Sequence, residues 1–240
     1  MRTKTLLTAL AALAAGILTS NAQVYSANVV GYASVATPNA GVNYLLTIPF
    51  AIGVSNGANE VFGNNLPEFS SILIWHPNTS SYTFSKTDTG SPTGWSDNAD
   101  SPISPPVLPV GQGFFLNPSD ANVTNVFSGA IAVNVGTSNS IPLPNAGVNY
   151  LVGCLVPYAG SVTNGNNSGG GPNLNGLPEF SSVLIWNPNT SSYTFSKTDT
   201  GSPTGWSDNA DSPVAPPTIS VGQGLFVSPS DVNAKWTTGL

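Results

Sequence analysis

One segment, Pro38 to Leu45 (PNAGVNYL), returns unchanged at Pro144 to Leu151. Leu66 to Trp75 returns as Leu177 to Trp186, with Val183 in place of Ile72. Pro77 to Pro102 reappears from Pro188 to Pro213 without a substitution, and Val110 to Phe115 (VGQGFF) returns as Val221 to Phe226 (VGQGLF). Such agreement is a duplication, and its period of roughly 110 residues is that of a domain rather than of a solenoid turn. The expected organisation is repeat 1 over 23–130 and repeat 2 over 131–240, joined by the polar stretch from Asn134 to Ser140. The repeats differ mainly between Leu45 and Leu66, where Ala58 to Phe62 suggests a short helical turn. Repeat 2 carries the longer Gly/Asn/Ser run from Asn164 to Gly171 in this place, a surface loop by composition.

Within each repeat the patterning is that of strands. Ser71 to Trp75 is a short continuous apolar run, which fits a strand covered on both faces. Ser81 to Ser85 alternates aromatic and hydroxyl side chains, and Pro77 to Ser80 is turn chemistry, so Ile72 to Ser85 reads as a hairpin. Asn28 to Val35, Val42 to Thr47, Gly113 to Leu116 and Val123 to Phe127 complete the strand set. Pro102 to Pro109 holds four prolines and reads as an extended crossing segment. The predicted fold class is all-β: two tandem β-sandwich or small-barrel domains after a signal peptide.

Arg2 and Lys4 precede an apolar stretch from Leu6 to Leu18, and Ser20-Asn21-Ala22 supplies small residues for cleavage after Ala22. The run is short for a membrane span, so a secreted or periplasmic protein is expected, without membrane insertion of the mature chain. Loss of the leader would leave Lys86, Lys197 and Lys235 as the only cations, with no arginine. Nucleic-acid binding needs a cationic face to release phosphate counterions, and three lysines cannot make one. The single cysteine, Cys154, excludes a disulfide framework and reads as a small buried hydrophobe.

The start Val24 to Tyr32 (VYSANVVGY), the element GWSD at Gly94 to Asp97 and Gly205 to Asp208, and the VGQGFF motif resemble a group of uncharacterised secreted tandem β-domain proteins of environmental bacteria. The resemblance implies export and an all-β fold, and it carries no activity.

Catalytic groups are scarce. His76 is the only imidazole and its counterpart is Asn187, so no His-based triad or metal site can exist in both repeats. A glycosidase would need a carboxylate pair, for which Glu68 and Glu179 with Asp97, Asp100, Asp208 and Asp211 are the candidates; this is the least favoured reading. For binding, Asp88, Asp97 and Asp100, with Asp199, Asp208 and Asp211, could offer oxygen ligands to calcium, although the same residues favour plain turns. Trp95 and Trp206 sit in polar loops, where a ring could be a platform for sugar or a lid folded over the core; Tyr82 and Tyr193 are secondary aromatic candidates, read as mainly core with Phe84 and Phe195. The expectation is a non-catalytic exported protein with a surface, matrix or adhesion role. Its partner would be an extracellular polysaccharide or another surface protein, and the alternative is a tandem carbohydrate-binding module.

Overall fold

The computed structural model describes residues 30–63, 65–133, 138–163 and 177–239, with the backbone of 171–173. The expected leader, the start of the Val24 motif and most of the connector and of the glycine-rich loop lie outside these residues.

Repeat 1 contains β1 (Val30–Thr37), β2 (Tyr44–Thr47), α1 (Ala58–Phe62), β3 (Ser71–His76), β4 (Ser81–Thr87), β5 (Trp95–Ser96), β6 (Gly113–Asn117) and β7 (Val123–Ala130). Repeat 2 contains β8 (Ser138–Leu143), β9 (Tyr150–Gly153), β10 (Gly160–Ser161), β11 (Gly171–Asn173), β12 (Ser182–Asn187), β13 (Ser192–Thr198), β14 (Trp206–Ser207), β15 (Thr218–Ile219), β16 (Gly224–Ser228) and β17 (Ala234–Gly239). Each repeat builds a five-stranded antiparallel sheet of the same topology, β2-β6-β3-β4-β5 in the first and β9-β16-β12-β13-β14 in the second. The hairpin read from Ile72 to Ser85 is β3 paired with β4. The segment from Pro102 to Pro109 contributes isolated bridges at Pro102 and Val107 and no strand, because proline cannot donate to a ladder.

A second layer covers one face of each sheet. In repeat 1 it is the ribbon of β1 and β7 with α1, and in repeat 2 it is β8 and β17, extended by β11. Each repeat is therefore a sandwich with its own core, and neither sheet closes into a barrel. Ile72, Phe114 and Leu116 from the sheet pack against Ala33 and Phe127 from the ribbon and Val61 and Phe62 from the helix. Phe62 meets the edges of Phe114 and Phe127 at 6.2 and 5.9 Å between centroids. The short helix is held at its start by Glu60, whose carboxylate accepts from the Val54, Ser55 and Gly57 amides. These three bonds hold its carboxyl down to a pKa of about 2.

The outer face of each five-stranded sheet is covered by the other repeat. Ile72 points into its own core while its neighbours Leu73 and Trp75 point the opposite way, as period-two alternation requires. Leu45, Phe115, Leu151 and Phe226 are buried in this second layer, with Leu73, Trp75, Leu184 and Trp186 packed around them. Trp75, Tyr82, Phe115, Trp186, Tyr193 and Phe226 form a closed ring in that order, each touching the next at 4.8 to 6.0 Å between centroids. Phe115 and Phe226 also meet across its middle at 6.5 Å. Edge-on and tilted contacts of this kind contribute about 0.5–1.5 kcal/mol each beyond the area they bury.

Polar contacts at the seam come in mirrored pairs. Trp75 Nε1 donates to the Asn149 carbonyl and Trp186 Nε1 to the Asn43 carbonyl, each at 2.6 Å. The Thr47 amide donates to Gly222 and the Gly153 amide to Gly111, each at 2.8 Å. Single bridges Leu46–Gln223 and Gln112–Val152 continue the pattern. The edge strands β2 and β9 are thus capped by the opposite repeat instead of offering open backbone to another chain. Each surface patch meets its own copy about an approximate two-fold axis, the geometry of an isologous dimer built within one chain.

The VGQG motif lies on this seam. Gly111 and Gly222 adopt left-handed φ of 78° and 72°, and a β-carbon at Gly113 would stand 2.7 Å from Leu151 Cγ. Backbone at these positions approaches the other repeat too closely for a side chain.

Candidate functional site: a pocket present in both repeats

Trp95 and Trp206 correct the first expectation for the site. Their rings are 2% and 3% exposed, so neither offers a stacking face to a sugar. The physical reason is the strand that each begins. Thr87 pairs with Trp95, and Thr198 with Trp206, which turns the ring into the core. Trp95 Nε1 then donates to Asn59 Oδ1 at 2.6 Å, giving the buried indole its partner. The ring is a lid folded inward.

Tyr82 and Tyr193 are corrected in the other direction. They are 41% and 39% exposed and belong to the aromatic ring between the repeats, not to either core. Burial of part of each ring raises both phenols above the ordinary range. For Tyr193 burial is the larger cause, the charge of Tyr82 adds to it, and the result is about 12.

The six aspartates do not converge. Asp97 Oδ1 accepts from the amides of Ala99 and Ser101, closing its own turn, and Asp208 does the same with Ala210 and Ser212. Asp100 pairs with Lys86 and Asp211 with Lys197. Those lysines lie over the Phe69 and Phe180 rings at 5.9 and 5.8 Å. Asp88 and Asp199 line a cavity in their respective repeats. Among the described residues, no three His, Cys, Asp or Glu side chains gather as a metal site would require. His76 ends β3 exposed, with Nε2 2.6 Å from Thr83 Oγ1. Cys154 is buried just after β9, and burial pushes its thiol up to about 12.

What the loops do form is one pocket, made twice. In repeat 1 it measures about 390 Å³, and Leu66, Glu68, Thr87, Asp88, Thr89, Gly94 and Trp95 line it. Its counterpart of about 370 Å³ is lined by the equivalent Leu177, Glu179, Thr198, Asp199, Thr200, Gly205 and Trp206. Local bonds hold the polar lining in place. Thr89 Oγ1 donates to Glu68 Oε1 at 2.6 Å and Thr200 Oγ1 to Glu179 Oε1 at 2.5 Å. Thr87 and Thr198 donate to the carbonyls of Pro67 and Pro178. Asp88 Oδ1 accepts from the Gly90 amide and Asp199 Oδ1 from the Gly201 amide, and among the described residues the second oxygen of each carboxylate takes no further hydrogen bond.

The rims differ. Asn59 and Gly63, at and beyond α1, complete the first pocket, whereas Thr163, Thr204 and Pro216 complete the second. The one region where the repeats diverge in length therefore borders the pocket. Sequence reasoning offered Asp88 as a calcium ligand and Glu68 as one of a carboxylate pair with Asp97 and Asp100, without bringing Glu68 and Asp88 together. The signal available was the spacing of Glu68 from the Asp88 loop, which a hairpin folds back beside it.

Comparison with protein-family models, with curated proteins and with solved structures finds no match to the chain.

Proposed function

We propose that this chain is a non-catalytic exported protein with a surface, matrix or adhesion role, which uses its fused repeats to hold two equivalent polar pockets in one rigid body. The observation that carries this reading is the recurrence of the Glu68–Asp88 pocket as the Glu179–Asp199 pocket, with Thr87 and Thr89 returning as Thr198 and Thr200 beside the same buried indole. Two copies of a weak site on one chain suit a partner that repeats, because the second engagement is intramolecular.

The lining supports a polyhydroxylated ligand, an extracellular polysaccharide, over a charged one. Carboxylate oxygens accept from hydroxyl groups, threonine hydroxyls donate and accept, and Leu66 gives an apolar side. Binding to another surface protein is the second form of the same role. Calcium would have to use Glu68 and Asp88, since Asp97 and Asp100 are engaged elsewhere.

The test is affinity electrophoresis of the purified mature protein against a panel of neutral and acidic polysaccharides, with and without calcium, beside Glu68→Gln/Glu179→Gln. Retardation that weakens in each single variant and vanishes in the folded double variant supports the reading. Retardation unchanged in the double variant removes the pockets from it. Release of reducing ends from any polysaccharide would move the protein to the glycosidase reading instead.

A further inference from the structure

The seam is self-complementary at nearly every position, since Asn43, Leu45, Leu73, Trp75, Tyr82 and Phe115 each face a repeat that carries the identical residue in the equivalent place. Surfaces of that kind would let repeat 1 pair with repeat 1 of a second copy as readily as with repeat 2 of its own. Few positions break the equivalence, Leu46 against Val152 and Val35 against Ile141 among them, and one of them lies on the axis itself. Thr47 and Gly153 follow the same repeated segment, and they meet each other across the axis.

A β-carbon on Gly153 would stand 2.3 Å from Thr47 Cγ2 and 2.5 Å from Thr47 Cβ, inside any van der Waals contact. The Cβ of Thr47 is fixed to the backbone of β2 and cannot rotate away. Gly153 is not among the residues with left-handed φ, so space and not torsion demands glycine there. Thr47 in turn is buried, fills the gap, and places its Oγ1 3.3 Å from the Gln112 carbonyl.

We infer that Thr47 and Gly153 set the pairing specificity of the seam, which accepts an unlike repeat and excludes a like repeat from a second copy of the chain. Two copies of repeat 1 would overlap two threonines at the axis. Two copies of repeat 2 would leave a void there. Only the unlike pair fits, whether it closes within one chain or forms reciprocally between two chains. A small, local clash of this type discriminates because packed backbones cannot yield.

Full-length Gly153→Thr, Thr47→Gly and the exchanged double variant Thr47→Gly/Gly153→Thr test this by thermal unfolding. Gly153→Thr is expected to melt about 5 °C or more below the parent, and Thr47→Gly to fall by less. The exchanged variant restores one threonine against one glycine in the opposite order, and it is expected to return to within about 2 °C of the parent. If Gly153→Thr fails to fold, the exchanged variant decides alone. Its recovery supports the inference; its failure, or a Gly153→Thr chain as stable as the parent, overturns it.

Discussion

Trp75 of repeat 1 donates its indole N–H to the carbonyl of Asn149 in repeat 2, 2.6 Å away, and Trp186 returns the same bond to Asn43. The bond and the ring contribute separately. Trp75→Phe keeps most of the apolar contact with Phe226 but leaves the Asn149 carbonyl without its donor, an expected loss of about 1 kcal/mol. Trp75→Ala also opens a space beside Phe226, and about 3 kcal/mol is expected. Because the two indoles share one aromatic ring of contacts, the losses in Trp75→Ala/Trp186→Ala are not expected to add. Urea unfolding of the parent, these three variants and Trp186→Ala measures all three terms.

Glu60 makes stability depend on pH in a defined window. Its folded pKa, about 2, lies below the ordinary value of 4.5, chiefly because the Val54, Ser55 and Gly57 amides donate to it. A depressed carboxylate stabilises the fold above its unfolded pKa, and that contribution is lost as pH falls through the folded pKa. The difference in melting temperature between the parent and Glu60→Gln is therefore expected to be largest above about pH 4.5 and to shrink towards pH 2. A difference that stays constant across that range would show that Glu60 acts without its charge.

Cys154 is expected to be inert in the native protein. Thiolate is the reactive form, and burial raises the thiol to about 12. Labelling by a soluble thiol reagent at pH 8 should be negligible until denaturant is added, then proceed to one thiol per chain.

Tyr82 and Tyr193 are expected to titrate late in ultraviolet absorbance. Burial raises both, and Tyr193 reaches about 12 with a further push from Tyr82. Tyr82→Phe removes that neighbouring charge, so Tyr193 should ionise at lower pH in the variant. An unchanged titration would mean that the charge of one phenol is not felt by the other across the axis.

Much of the fold could be read from residues, and the reasons show where reading stopped. The hairpin of β3 and β4 was legible because turn residues separate two runs of clear strand character. The helix at Ala58 to Phe62 was legible as a short turn. Ser71 to Trp75 announced a strand with two apolar faces, but periodicity does not say what covers the second face. Here it is the other repeat. Trp95 was legible as a lid or a platform but not decided between them, because a ring in a polar loop gives no local sign of Asn59, which lies in a distant segment and receives its N–H. Tyr82 misled because alternation assigns a side chain to a face and not to a depth. The pocket was half legible: Asp88 and Trp95 stood in one loop, while Glu68 reached it through the tertiary fold.

Repeats packed into one body share a seam that should open only when the whole chain unfolds. Native-state hydrogen exchange at the Thr47 and Gly153 amides reads this directly, because each donates across the seam, to Gly222 and Gly111. Amides that open only with global unfolding exchange slowest. These two are expected to exchange in the same slow class as the amides of β3 and β12. Exchange orders of magnitude faster, with β3 and β12 still protected, would show repeats that separate while folded and would contradict that.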